Sequence, residues 1–210
     1  MKTNTKVSKK LKGIEIVLLI ALAAFFLTGA LSLRAQDELA EKVVRLHVLA
    51  NSDSEEDQAL KLQVRDVILQ RATKLLDQTE DRWEAEGILR GNLLELEKLA
   101  AAEIAAQGYS YPVSVELEDT TFPTREYDGF ALPAGEYLAL RVLIGEAQGQ
   151  NWWCVVFPPL CTAVSADVPA SALAAGFSQE EVQLITESTG EYVLKFKAIE
   201  FWETFKEKCK

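Results

Sequence analysis

The stretch KVVRLHVLA, residues 42–50, combines β-branched residues with alternating apolar side chains, which predicts a β-strand. Alternation places Leu46 and Val48 on one face of that strand. Arg45 and His47 then lie on the opposite face. Polar residues end the strand, and a helical period of apolar residues begins directly after them. This order predicts a domain of the α+β class in which a strand leads into helices.

Two consecutive helices are predicted after this strand. Ser52 followed by Glu55 has the spacing of a capping box, and the apolar period then predicts a helix to about Asp77. A second apolar stripe predicts a helix from Arg82 to Gln107. Because two helices in a row are not the single crossover of the simplest parallel unit, we expect an antiparallel or mixed sheet packed with helices.

Three more strands are predicted where the apolar period changes from 3.6 to 2, at residues 111–119, 136–145 and 152–157. The loop 146–151 is short and contains glycine, so the last two strands are expected to form an antiparallel hairpin.

The chain after residue 161 is expected to be irregular as far as about Gly176. Ser178 with Glu181 then predicts a capped short helix. A last strand at residues 192–196 and a terminal helix at 198–208 complete the prediction.

The N-terminus has the composition of an export leader. Five lysines precede an almost uninterrupted apolar run, Ile16 to Leu33, which spans about 27 Å as a helix. We therefore divide the chain into a signal peptide or signal anchor at 1–35, with one hydrophobic helix at 14–33, and an exported domain at 36–210. The basic residues keep the N-terminus in the cytoplasm, so the domain is expected on the far side of the membrane.

Whether the leader is removed stays open. Its apolar run is longer than a typical signal-peptide core of about 7–15 residues and nearly long enough to cross a bilayer of about 30 Å. Thr28-Gly29-Ala30 offers a small-x-small cleavage site. A cleaved signal and a retained anchor fit the sequence about equally well.

The charge of the remaining chain argues against nucleic acid as a partner. The whole sequence has a net charge of −10 with 49% hydrophobic residues, which is enough for a real core. Without residues 1–35 it has 16 cations against 31 anions, a net charge of −15. A surface of this sign repels a phosphate backbone and anionic lipid.

The three cysteines allow one intramolecular pair. Cys154 and Cys161 are close in sequence and are the disulfide candidates in an oxidising compartment, which leaves Cys209 unpaired. The alternative is that Cys154 and Cys161 are small buried apolar residues. Both interpretations remain open.

The sequence contains none of the common catalytic motifs, and it predicts no cofactor, no resident metal and no catalytic residues. The sole histidine, His47, would have to meet Cys154 or Cys161 to form a thiol hydrolase. The same three residues lack a fourth zinc ligand.

A second polar group resembles a calcium site at first sight. Asn51, Ser52, Asp53 and Asp57 lack the glycine and terminal glutamate of an EF-hand loop. Capping of the following helix explains them without a metal.

The segment NWWCVVFPPLC, residues 151–161, is apolar on both of its strand faces. Either this strand is central and covered on both sides, or one face meets another protein. Tryptophan beside proline is also the composition of an interface anchor. Pro158-Pro159 is expected to end the strand and to bulge toward solvent.

Several segments resemble the stage II sporulation protein R family of endospore-forming Firmicutes, and they cover most of residues 43–161. The matching segments are Arg45–Asp53 (RLHVLANSD), Asp57–Asp66 (DQALKLQVRD), Phe122–Arg125 (FPTR), Leu132–Tyr137 (LPAGEY), Leu140–Val142 (LRV), Gly145–Ala147 (GEA) and Asn151–Cys161 (NWWCVVFPPLC). The last of these is the most specific. Beyond Cys161 the similarity is looser, chiefly at residues 196–202.

The resemblance implies a signalling protein rather than an enzyme. Members of this family are exported from the forespore into the space between the forespore and mother-cell membranes. There they activate a membrane-embedded aspartic protease of the mother cell, which cleaves the early mother-cell pro-sigma factor.

We expect the surface that binds this protease to include seven residues: Trp152, Trp153, Pro158, Pro159, His47, Asn51 and Asp53. Two other functions remain as alternatives. One is a secreted Cys/His hydrolase in the intermembrane space, and the other is a structural envelope protein anchored by residues 14–33.

Overall fold

The computed structural model describes residues 15–20, 22, 37–160 and 168–186. The chain divides into two compact units, Met1–Asp37 and Glu38–Lys210. In the first unit, residues 15–20 and 22 are helical and exposed. No helix within the described ranges is both long and apolar enough to cross a membrane. Most of the predicted leader helix, and the elements predicted at 192–196 and 198–208, lie outside the described residues.

After the helical residues 37–40, the described part of the second unit contains six strands and four helices. In chain order they are β1 (Val44–Leu49), α1 (Glu55–Leu75), α2 (Arg82–Ala106), β2 (Val113–Phe122), β3 (Arg125–Tyr127), β4 (Phe130–Leu132), β5 (Gly135–Ile144), β6 (Asn151–Phe157), α3 (Val168–Ala174) and α4 (Gln179–Thr186). The predicted α+β class is confirmed.

Four strands form a mixed sheet in the order β2-β5-β1-β6, and β3 pairs with β4 in a separate two-stranded sheet. β1 runs parallel to β5 and antiparallel to β6. β2 is antiparallel to β5 over its whole length. The two helices after β1 separate it from its parallel neighbour in the chain, as parallel pairing requires a long crossover.

The predicted hairpin between the fifth and sixth strands is wrong, because β1 lies between them. The physical reason is burial. All of β1 except its last residue is withdrawn from solvent on both faces, so it occupies an interior position of the sheet. The loop after β5 therefore crosses the end of β1 before β6 begins.

Asn51 holds this crossing loop in place. Its side-chain oxygen accepts a hydrogen bond of 3.0 Å from the Glu146 amide, and its carbonyl accepts one of 3.3 Å from the Gln148 amide. The Gly149 amide donates to the Ala50 carbonyl at 2.9 Å. The loop approaches so closely that a side chain at Gly149 would overlap the backbone of Ser52, just beyond β1.

The helices α1 and α2 cover one face of the sheet. The buried residues Leu60, Val64 and Ile68 of α1 belong to the same core cluster as Leu46 and Val48. On α2, a helical period of buried side chains continues this core: Ala85, Leu89, Leu96, Ala100 and Ile104.

The ends of these helices differ from prediction at one point. Ser54, not Ser52, is the N-cap of α1, because its side chain accepts a hydrogen bond from the Asp57 amide. Asp81 caps α2 in the same way. Gly108 follows α2 with a positive φ of 85°, as expected of a residue just past a helix end.

The helix α3 was not predicted, since residues 161–176 were expected to be irregular. Its sequence, VPASALA, is small and largely apolar, and it buries Val168 and Ala172. The capping box of Ser178 with Glu181 is confirmed at the start of α4. Lys42, just before β1, forms an ion pair of 2.7 Å with Glu181.

The crossing loop yields a stability test at Gly149. The substitution Gly149→Ala places a Cβ less than 3.0 Å from the carbonyl oxygen of Ser52, which is backbone and cannot turn aside. We expect a loss of about 2 kcal/mol or more in the free energy of unfolding, measured by urea denaturation.

Gly87→Ala is the matched control, because nothing lies within 4 Å of a Cβ at that exposed position of α2. This variant is expected to gain about 0.5–1 kcal/mol through helix propensity. Equal stability of the two variants would contradict the crossing geometry.

Candidate functional site

The sheet face opposite α1 and α2 contains a cluster of rings around two basic side chains, which we call the aromatic face. Strand alternation brings its members together from β1, β2, β5 and β6, and the β3–β4 hairpin adds one more ring. The aromatic face consists of Arg45, His47, Phe122, Tyr127, Tyr137 and Trp153.

His47 and Trp153 form the best-defined contact of the aromatic face. They are cross-strand partners, and their rings stack with centroids 4.0 Å apart and planes 13° apart. Phe122 meets both rings edge-on. These ring contacts hold the half-buried Trp153 in place, although it lies near the exposed end of β6.

One ring nitrogen of His47, Nε2, forms a hydrogen bond that fixes the position of the proton on the ring. Nε2 lies 2.6 Å from the side-chain oxygen of Asn151. Since an amide oxygen only accepts hydrogen bonds, Nε2 carries the proton of the neutral ring. Burial lowers the pKa of His47, an effect that the hydrogen bond to Asn151 partly opposes and the nearby Arg141 and Arg45 reinforce. The ring is therefore neutral near pH 7.

Arg45 lies at the centre of the aromatic face and is 0% exposed. Its guanidinium carbon is 4.1 Å from the ring centre of Phe122 and 4.9 Å from that of Tyr137. Its Nη2 donates a hydrogen bond of 2.5 Å to the Tyr127 hydroxyl. Nε and Nη1 have no hydrogen-bond partner among the described residues.

The two arginines near Arg45 differ from it in pairing and exposure. Arg141, which pairs with His47 across the sheet, forms ion pairs with Glu118 and Glu116. The exposed Arg125 lies at the rim, 5.7 Å from the ring of Trp153. Within the described ranges, Arg45 alone of these three is a fully buried cation without a carboxylate.

Trp152 projects to the helix-covered side of the sheet. The guanidinium of Arg65, from α1, lies 4.3 Å from its ring. The two tryptophans thus lie on opposite faces, as predicted, and each face of β6 is covered by other parts of the same chain. Within the described sheet, β6 is nevertheless an edge strand and not a central one.

The two prolines do not form the predicted solvent bulge. The strand ends at Phe157 as expected, but Pro158 is buried and Pro159 is half-buried. Leu160 also turns inward and is only 4% exposed. The apolar character of this segment explains the difference, because folding inward removes it from water.

Asn51 has a structural role in addition to holding the crossing loop. Its side-chain nitrogen donates to the Asp57 carboxylate at 2.7 Å, and the Ser52 hydroxyl donates to the same oxygen at 2.5 Å. Asp53 is exposed and is therefore accessible to a partner. A binding role for Asn51 and Asp53 stays a prediction.

The carboxylate of Asp57 is the hub of this polar turn. Burial would raise the pKa of Asp57, but hydrogen bonds from Ser52, Asn51 and Tyr111 outweigh burial and lower the pKa. Of the side chains first compared with calcium ligands, Asn51, Ser52 and Asp57 are engaged in this hydrogen-bonded turn. No group of potential metal ligands occurs in the described part of the chain.

Cys154 and His47 do not form a catalytic pair. Cys154 lies opposite Leu46, whereas His47 lies opposite Trp153 one residue away, so the thiol and the imidazole project to opposite faces. The alternative of a Cys/His hydrolase therefore lacks the contact between Cys154 and His47. Cys161 lies outside the described residues, and the Cys154–Cys161 disulfide stays a prediction.

The sequence analysis missed most of the aromatic face. Phe122, Tyr127 and Tyr137 come from three different strands, so no local spacing connects them. The one available signal was Arg45, a charged residue within an otherwise apolar strand and on the same face as His47.

Comparisons with known proteins place this face inside a shared region. A family model described as stage II sporulation protein R matches residues 40–167, a range that includes every member of the aromatic face. The stage II sporulation protein R of Bacillus subtilis (strain 168) is 37% identical over 146 residues. That match covers 64% of this chain and 65% of the relative, just under two thirds of its length. No solved structure matches.

The lowered pKa of His47 predicts a pH dependence of stability. Because the folded pKa lies below the unfolded value of about 6.5, the unfolded chain binds more protons. The His47 contribution is fully present above about pH 6.5 and is lost as the pH falls toward the folded pKa. We expect the free energy of unfolding to decrease between about pH 7.5 and pH 5.5.

His47→Gln is the control, because the chain has 1 histidine and acidic side chains titrate mostly below about pH 5. This variant should show a nearly flat stability over the same interval in urea titrations. An equal slope in both proteins would show that His47 is not the group responsible.

Proposed function

Because the chain belongs to the stage II sporulation protein R family, we propose that it is an exported sporulation signal that binds and activates a membrane-embedded aspartic protease. The protease then cleaves the early mother-cell pro-sigma factor. In this proposal the chain contributes a binding surface and performs no chemistry itself. The observation that carries it is the family match, which spans the whole four-stranded sheet and both long helices.

The site geometry supports action by contact. His47 is enclosed by Trp153 and Phe122, with its protonated nitrogen directed at Asn151, and the nearest cysteine in the sheet projects to the other face. A nucleophile and a base within hydrogen-bond reach are the minimum for covalent catalysis. The pair considered for this chain, Cys154 and His47, does not meet that requirement.

We place the receptor contact at the exposed end of β6 and the adjoining rim. Asn151 is exposed, Trp152 and Trp153 are half-buried, and Arg125 projects into solvent beside Trp153. Rigid aromatic side chains with one open edge lose little entropy on binding and are frequent interface anchors. Asp53, also exposed, is the acidic residue of the predicted contact.

Export is part of the same proposal. The lysine-rich N-terminus and the apolar run Ile16 to Leu33 support delivery across a membrane into the space between forespore and mother cell. The net charge of −15 beyond residue 35 disfavours adsorption of the domain to anionic lipid. The domain is thus available to a receptor whether the leader is cleaved or retained as a tether.

The receptor contact is tested with the substitutions Trp152→Ala and Trp153→Ala. Each variant replaces the native stage II sporulation protein R in sporulating cells. We expect each substitution to lower pro-sigma processing about tenfold or more, as truncation of a central interface residue costs about 2 kcal/mol. Processing is measured by immunoblot of the precursor and mature sigma factor. Exported protein is quantified in the same samples, so that loss of folding is recognised.

Trp83→Ala is the matched control, since Trp83 is 67% exposed and lies on α2, away from β6. Cells with this variant should process the pro-sigma factor at the normal level. Normal pro-sigma processing in cells with each of the two β6 variants, at wild-type levels of exported protein, would exclude this surface as the receptor contact.

A further inference from the structure

Arg45 differs from the other buried charges of the described residues. Asp57 accepts hydrogen bonds from Asn51 and Ser52, and Lys61 donates to Gln58 and to the Gln150 carbonyl. Arg45 is more deeply buried than either, at 0% exposure, yet only its Nη2 has a partner in the described part of the chain.

The surrounding rings compensate for only part of this burial. Phe122, Tyr137 and Tyr127 lie 4.1, 4.9 and 6.0 Å from the guanidinium carbon, close enough for cation–π attraction. A ring face does not replace an oxygen acceptor for the N–H groups at Nε and Nη1. A buried charge without such acceptors is costly, which makes an incoming anion strongly favourable.

We propose that Arg45 anchors a carboxylate-binding site on the aromatic face, entered past the β3–β4 hairpin. One carboxylate oxygen takes the place of the Tyr127 hydroxyl at Nη2. The other accepts a hydrogen bond from Nε or Nη1, each of which shares an edge of the guanidinium with Nη2 and has no partner in the described structure. The ligand is a carboxylate of a small acid or an acidic side chain of a protein. This inference does not depend on activation of a protease.

The hairpin is the element that covers the site. Its Tyr127 supplies the hydroxyl bonded to Arg45, and its strands have 3 residues each. They pair with each other and not with the four-stranded sheet. The tip, Asp128 and Gly129, is exposed. The strand β4 is buried in the core and stays in place, with Phe130 2% and Leu132 0% exposed. Tyr127, half-buried beside the exposed tip, is the part of the hairpin that a ligand replaces at Arg45.

The charge of the site favours a single carboxylate over a dianion. Arg45 provides one buried positive charge, and His47 is neutral near pH 7 because burial lowers its pKa. Arg141 is already neutralised by Glu116 and Glu118. The exposed Arg125 at the rim adds positive potential where an anion would enter.

The test uses the full chain in a neutral detergent, with acetate as the probe and acetamide as its uncharged analogue, at constant ionic strength. We expect acetate to raise the melting temperature saturably and to change tryptophan fluorescence, because Trp153 contacts Phe122 beside Arg45. Acetamide should do neither. Equal effects of acetate and acetamide on the wild-type chain would overturn the proposal without any variant.

Two substitutions locate the effect. Arg45→Met should abolish the acetate response. Arg65→Met is the matched control, because Arg65 also stacks on an aromatic ring, that of Trp152, but lies on the helix-covered side. The control should respond as the wild type does. An unchanged acetate response in Arg45→Met would overturn the proposal, and if that variant does not fold, the acetate–acetamide comparison decides.

A third arm distinguishes the source of the carboxylate. The blocked peptide acetyl-Gly-Glu-Gly-amide carries one acidic side chain and no terminal charges. Half-maximal stabilisation at a lower concentration of this peptide than of acetate assigns the site to an acidic side chain. The reverse order assigns it to a small acid, and no response to either ligand contradicts the site.

Discussion

The insertion of β1 between β5 and β6 is the constraint on which the rest of the molecule depends. The loop that joins β5 to β6 has to cross the end of β1, and hydrogen bonds to Asn51 and Ala50 hold it there. This crossing sets the register that places Trp153 opposite His47. The same register puts Cys154 on the other face. Strand order therefore places the Cys154 thiol and the His47 imidazole on opposite faces of the sheet.

The two faces of the sheet have different physical roles. The face under α1 and α2 is an apolar core, and it explains why the domain folds. The aromatic face instead combines rings with cations, and two guanidinium nitrogens of its buried Arg45 have no hydrogen-bond partner among the described residues. Because a buried cation with incomplete hydrogen bonding costs desolvation energy, we explain Arg45 by binding rather than by stability. The family match covers both faces, so the aromatic face belongs to the shared part of the fold.

Local patterns in the sequence predicted the two long helices and the four strands of the main sheet, because amphipathic periods and caps act over a few residues. They did not predict the short elements β3, β4 and α3. They failed where long-range pairing decides. Nothing local in residues 136–157 indicates that β1 separates the two strands, since a short glycine-containing loop is also what a hairpin would have. The inward turn of Pro158 and the assembly of Phe122, Tyr127 and Tyr137 around Arg45 depend on the same tertiary arrangement.

The central proposal is that this chain activates its receptor protease by binding and performs no turnover itself, and the stoichiometry of activation tests this proposal directly. The receptor protease and its pro-sigma substrate are reconstituted in vesicles, and the full chain is added in increasing amounts while cleavage is measured. We predict no cleavage without the protease and an activity that saturates near one chain per protease. A maximal cleavage rate reached with a small fraction of that amount, or cleavage in vesicles that lack the protease, would contradict this account.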